Sequence, residues 1–396
     1  MVTPGHLQTA TKCLRQPGSQ IGGAQMGGIV TDEIAIVIPA AARLSSCKAV
    51  VRVSGYAKRI LVIGETVFLG LQLVERLSLA GRRVRVLTPK TAAHDPLANG
   101  TGIEVVHGDY CDPAAVDRAL DGVGTVYHLP KGTARNWQTA LENEVEPTRR
   151  LAAAALRRGV HRFIYVGSID GYASADARDT ISQSTLLDPL IARRNLYARS
   201  KAACESVLLA MTREYGLPLV IIRAGIVIGA GSSPVHHGVG CFSRWDRLTY
   251  WGDGTNPLPF VLVEDVVDAL VRALTVADIE GCSFLITDAP LLSARAYVAA
   301  MQARANIPVQ AAPRAIWRYW IEDLVRELAK GVIRHPNRRR PSLHDWRCRA
   351  HRTAYDARGS AEALGWRPAG TRAALIERGI YPSVDAALAA RTAPSS

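Results

Sequence analysis

From residue 59 onward the apolar positions fall into short β-branched runs separated by longer stretches with helical spacing. Arg59 to Ile63 is the first such run and ends in glycine; an apolar helix-like stretch, Phe68 to Ala80, follows and closes at Gly81. Further runs occupy Val84–Leu87, Ile103–Val106, Thr125–Leu129, Phe163–Val166 and Leu219–Ile222. Two of the intervening stretches repeat every three to four residues: Val145, Thr148, Ala152, Ala155 and Leu156, then Cys204, Val207, Leu208, Met211 and Tyr215. Continuous apolar strands alternating with helices predict a parallel sheet covered on both faces, the doubly wound α/β architecture.

After Gly229 the alternation loosens. Gly, Ser, Pro and His crowd 229–240, a helix is expected near Glu264, and Cys282 to Thr287 reads as one more strand. Beyond Ser293 the chain is helical and basic. The expected organisation is a poorly ordered extension over 1–56, for which Met26 offers a later start, and a nucleotide-binding domain over 57–230. A smaller C-terminal substrate lobe covers 231–380, with 260–288 returning to the first domain, and 381–396 forms a tail.

Composition changes this picture little. The 396 residues are 48% hydrophobic and 21% charged, enough for a large core. The formal charge of +13 suits a phosphate-bearing substrate. Seven cysteines without a C-x-x-C pair argue against a disulfide framework or a zinc site, no metal is expected, and a reduced cytoplasmic setting fits. No apolar run reaches the length of a membrane span. Trp317, Trp320, Ile321, Leu324, Val325 and Leu328 form a stripe at helical spacing, followed by Arg334, Arg338, Arg339 and Arg340. The stripe is read as core of the small lobe, with contact to an anionic membrane surface as the alternative. The arginine run is read as a solvated face, because no nucleic-acid module accompanies it. His236 and His237 are assigned to the substrate cleft or to solvent.

The first strand-to-helix turn is Ile63-Gly64-Glu65-Thr66-Val67-Phe68-Leu69-Gly70. A glycine at its start permits a tight turn, one at its end lets helix and strand pack closely, and the helix N-terminus then faces a pyrophosphate. Gly64, Val67, Phe68, Leu69 and Gly70 are therefore candidate cofactor contacts. Val67 stands where a glycine would let backbone and pyrophosphate approach most closely. The second strand ends without an acidic residue for ribose hydroxyls, and Lys90 is placed to meet a 2′-phosphate, which leans from NAD toward NADP. Asp109 is a candidate acceptor from adenine, or alternatively a helix cap, a role Asp112 before Pro113 fills more naturally.

Tyr197 and Lys201, four residues apart, share one helix face. A free phenol, with a pKa near 10, is a poor base at neutral pH, and a neighbouring ammonium favours the phenolate. Lowering that value by about three units takes roughly 4 kcal/mol, within reach of two close cations in a partly dry site. Ser168 follows the Phe163–Val166 strand at its carboxyl end, where ligands sit in such sheets. A serine there can hydrogen-bond the same substrate oxygen that Tyr197 titrates.

These residues, with Tyr127-His128-Leu129, Tyr172, Arg223-Ala224-Gly225-Ile226-Val227-Ile228-Gly229 and Phe260 to Val266, resemble the extended short-chain dehydrogenase/reductase family, the NAD-dependent epimerase/dehydratase type, over roughly 58–366. The resemblance implies a Rossmann domain and Ser168, Tyr197 and Lys201 as catalytic triad. It also implies Gly64, Gly70, Asp109, Tyr197 and Lys201 as NAD or NADP contacts, and a homodimer built on helices of the nucleotide domain. Val67, Ala224 and Leu262 depart from the family's glycine, proline and histidine. Ile169 replaces the proton-carrying residue of the Thr-Asp-Glu set in sugar-nucleotide dehydratases, which disfavours that reaction. The expected activity is oxidoreduction or epimerisation at an alcohol carbon of a nucleoside-diphosphate sugar. A 3β-hydroxysteroid dehydrogenase or dihydroflavonol reductase-like enzyme is the second reading, and a non-catalytic dinucleotide binder the third.

Overall fold

The computed structural model describes residues 59–392 apart from 65, 90–101, 131, 133, 177–179, 290–291 and 335–337. The N-terminal extension and Lys90 lie outside the described residues. Seven parallel strands form the central sheet: β1 (Arg59–Gly64), β2 (Val84–Thr88), β3 (Ile103–His107), β4 (Val123–Leu129), β5 (Arg162–Ser168), β6 (Leu219–Ala224) and β7 (Ser283–Ile286). Their order is β7-β6-β5-β4-β1-β2-β3, so the direction of winding reverses between β1 and β4. There the crossovers diverge to opposite sides and open a crevice at the carboxyl ends.

Alternation along one strand shows why the runs are apolar throughout. Ile60 and Val62 of β1 pack with Leu73, Val74 and Leu77 of α1 (Leu69–Leu79) on one face. Leu61 and Ile63 pack on the other with Val116 of α2 (Pro113–Ala119), Leu151 and Ala155 of α3 (Glu146–Arg157), and Cys204 and Leu208 of α4 (Leu196–Tyr215). Helix α5 (Val263–Thr275) returns to the first face and leads to β7 at the sheet's edge. Asp112 caps α2 by accepting the Ala114 N–H at 2.9 Å, with Pro113 at the first helical position.

The remaining chain builds a second core, in which Phe260 stacks on Tyr297 of α6 (Ala294–Ala305) at 5.3 Å. Two expectations are corrected here. Residues 381–392, read as tail, form helix α9 (Tyr381–Thr392), whose Val384 is buried against this core, because Tyr381, Val384 and Leu388 line one side. The second correction concerns α7 (Ile316–Val332). Its buried residues are Tyr319, Asp323 and Glu327; of the stripe, Trp317, Ile321, Val325 and Leu328 are exposed and do not form core, while Trp320 and Leu324 are half-buried. The helix is held from its charged side, where arginine and lysine neutralise the two carboxylates.

Candidate active site

The site grows from the loop after β4 and the first turns of α4. Lys201 is 7% exposed, and its ammonium donates to the Pro130 carbonyl at 2.6 Å and reaches the Val166 carbonyl at 3.5 Å. It is thereby pinned between the ends of β4 and β5. Its Nζ lies 5.6 Å from the centroid of the Tyr197 ring. Tyr197 itself is 37% exposed, so its ring is not part of the core. Gly132, at φ +69°, presses the loop against that ring, where a Cβ would come within 2.7 Å of Cδ2 and Cε2. Nothing in the sequence marked Gly132 beyond its place after a strand.

Ser168 ends β5, two residues beyond the carbonyl that Lys201 reaches. Its Oγ accepts the Asp170 N–H at 3.2 Å, which leaves its own hydroxyl hydrogen for another acceptor. Ile169 is buried at 2% in the second core, so the position after Ser168 contributes packing and no proton chemistry. His128, on β4, is fully buried with Nε2 2.8 Å from Thr148 Oγ1. Burial first, and then the Lys201 charge, push its imidazole down to about 3, so it stays neutral. His236 accepts the Gly238 N–H through Nδ1, and burial, reinforced by His237, pushes it down to about 4.

The N-terminus of α4 depends on the C-terminal lobe. Asn195 caps the helix by accepting the Ala198 N–H at 3.0 Å. Its own backbone and side-chain N–H groups donate to Asp345 of α8 (Leu343–Cys348) at 2.8 and 3.0 Å. Beside it, Arg194 joins Asp188 at 3.1 Å and Asp345 at 3.3 Å, and His344 meets Asp188 at 2.6 Å. Asp188, His344 and Cys348 place ligand-type atoms within 4.8 Å of one another, but Arg194 shares Asp188 and fills the group with positive charge. We read it as an ion-pair knot. None of these residues is marked by sequence spacing, since Asp188 and His344 lie 156 positions apart.

At the cofactor turn, Gly64 adopts φ +110°, and a Cβ there would sit 2.1 Å from the Leu129 carbonyl oxygen. Glycine is therefore required by the close approach of the paired strands β1 and β4 at their carboxyl ends. Leu69 and Gly70, both buried, begin α1. Phe68 is partly buried against the first core, while Val67 is 70% exposed and takes no part in it. Asp109 is exposed after β3 and accepts the Cys111 N–H at 2.8 Å. The structure therefore gathers Tyr197, Lys201 and the end of β5 at one place. Gly64, Val67, Phe68, Leu69 and Gly70 lie at the neighbouring turn, and Asp109 stands two strands away.

The model of the NAD-dependent epimerase/dehydratase family matches residues 60–284. The chain belongs to that family. It is an NAD(P)-dependent enzyme of the extended short-chain dehydrogenase type. A (4-alkanoyl-5-oxo-2,5-dihydrofuran-3-yl)methyl phosphate reductase of Streptomyces griseus is 30% identical over 236 residues, covering 60% of this chain and 70% of its own. A UDP-glucose 4-epimerase of Vibrio cholerae is 25% identical and covers 66% and 80%. Among solved structures, the UDP-glucuronic acid 4-epimerase of Bacillus cereus in complex with NAD superposes with a TM-score of 0.62 at 18% identity, over 83% of this chain and 97% of that one.

The residues present fit a dinucleotide. The first turn of α1 carries no acidic side chain and no side-chain cap, so its N-terminal dipole is left for an anion. The crevice beyond it opens at the switch point between β1 and β4.

Proposed function

We propose that this protein oxidises and reduces an alcohol carbon of a nucleoside-diphosphate sugar, with Tyr197, Lys201 and Ser168 as its catalytic residues. One observation carries the reading: a buried lysine, tied to the Pro130 carbonyl, sits under the ring of a half-exposed tyrosine at the carboxyl edge of the sheet. An ammonium held there by the backbone stabilises negative charge on the neighbouring phenol oxygen. The phenolate takes the proton of the substrate hydroxyl, and in the reverse direction the phenol returns it to the carbonyl oxygen. Ser168 donates its free hydroxyl hydrogen to that same oxygen. The nicotinamide, when bound, supplies the two-electron acceptor and donor for the carbon. Gly64, Phe68, Leu69 and Gly70 would shape the pyrophosphate turn, with Asp109 toward the adenine. The homodimer expected from the resemblance belongs to this reading.

The S. griseus relative, named as a reductase of an alkanoyl-bearing substrate, favours a second reading, net reduction of a substrate with an apolar chain. Turnover distinguishes the two: an epimerase converts UDP-sugars without net change in NADH absorbance, whereas a reductase consumes it. In either case Tyr197→Phe should lower kcat by about a hundredfold or more, the scale of a lost acid–base group, with NAD affinity unchanged by calorimetry. Full turnover in that variant would remove the tyrosine from the mechanism.

A further inference from the structure

Helix α7 turns its charged side inward and its apolar side out. Inward, Asp323 pairs with Arg326 at 3.5 Å and Arg339 at 3.3 Å, and Glu327 pairs with Lys330 at 2.7 Å. Tyr319 stacks on Trp346 of α8 at 5.3 Å. The helix is therefore anchored without any help from Trp317, Ile321, Val325, Leu328 and Val332, which are 54%, 41%, 61%, 55% and 85% exposed. At about 100° per residue these five fall within an arc of about 80°, a continuous apolar stripe some 22 Å long. Ile333, also exposed, follows it.

Cations border the stripe on both sides. The Arg318 guanidinium lies 5.5 Å from the Trp317 ring centroid, and that of Arg338 lies over Gly331 on the opposite border. The carboxylates of the helix are already engaged: Glu322 with Arg314, Asp323 and Glu327 as above. Arg318, Arg334, Arg338 and Arg340 form no ion pair among the described residues. An apolar stripe between unneutralised arginines matches a surface that is apolar in depth and anionic at its rim. A second copy of the chain suits it poorly, because a two-fold contact would bring like charges together. Nucleic acid would leave the stripe unused.

We propose that α7 is an interfacial helix that seats the C-terminal lobe on an anionic lipid bilayer. Trp317, Ile321, Val325, Leu328 and Val332 lie among the acyl chains and the four arginines at the headgroups. The test is flotation of the full chain with vesicles of phosphatidylcholine alone or mixed with phosphatidylglycerol. The protein should rise with the mixed vesicles, release at high salt, and bind pure phosphatidylcholine about tenfold less. The triple variant Ile321→Ser, Val325→Ser, Leu328→Ser should lose about tenfold in partitioning with its melting temperature unchanged, since those side chains are exposed. Failure of the wild type to float overturns the proposal, as does undiminished binding by the triple variant. Light scattering adds a third outcome: a dimer that the variant turns to monomer, without vesicle binding by the wild type, assigns the stripe to a second copy. No turnover is read, so the result stands apart from the catalytic assignment.

Discussion

Lys201 shows how little of a reactive side chain's environment comes from its sequence neighbours. Its spacing from Tyr197 follows from the helix, but its orientation comes from two carbonyls, one just past the end of β4 and one on β5. Val67 is the residue whose consequence is easiest to measure. It stands in the proposed pyrophosphate turn where the resembled pattern has a glycine, yet its side chain is 70% exposed and supports no core packing. Val67→Gly should therefore tighten NAD binding by about three- to tenfold, read by calorimetry, with a stability loss no larger than the roughly 1 kcal/mol of added backbone freedom. Equal or weaker binding would show that the turn is built around valine.

Among the elements, α4 has the most consequential start. Asn195 caps it, and Asp345 from α8 holds Asn195 in turn. Tyr197 lies in the first turn, so any fraying there moves the phenol. Asp345→Ala should lower kcat by about tenfold and stability by about 1–3 kcal/mol, since it removes the acceptor of both Asn195 N–H groups and one of the two carboxylates on buried Arg194. The decisive readout is proton inventory and pH–rate profile: a displaced Tyr197 shifts the profile, whereas simple destabilisation changes only the active fraction. Helix α7 teaches the opposite lesson. Its stripe was legible in sequence and was read as core, because apolar spacing specifies a face without specifying what that face meets.

For the whole molecule, the knot of Asp188, Arg194, His344 and Asp345 couples the lobe to the nucleotide domain. The hydrogen bond that His344 donates to Asp188 raises its imidazole to about 9, with burial opposing it. Against an unfolded value near 6.5, this group's stabilisation is complete below about pH 6.5 and is lost as pH rises toward 9. Its ceiling is roughly 3–4 kcal/mol, from about 1.4 kcal/mol per unit over about 2.5 units, and solvent screening of the partly exposed ring lowers it. Thermal melts should show stability falling between pH 7 and 9, and His344→Asn should flatten that fall. A wild-type curve level across this window would break the assignment.

The alternating apolar runs from Arg59 to Ile286 determined the doubly wound sheet, since strands covered on both faces must be apolar at every position. Motif and spacing likewise marked the glycine turn and the serine at the end of β5, each beside a strand end, and the Tyr197/Lys201 pair, one turn apart on a single helix. Only the tertiary structure decided the contact of Gly132 with Tyr197, the grip of Asp345 on α4, and which side of α7 faces inward. These join positions from 16 to 150 residues apart, where local periodicity carries no information and the balance of buried charge against packed apolar surface decides the outcome.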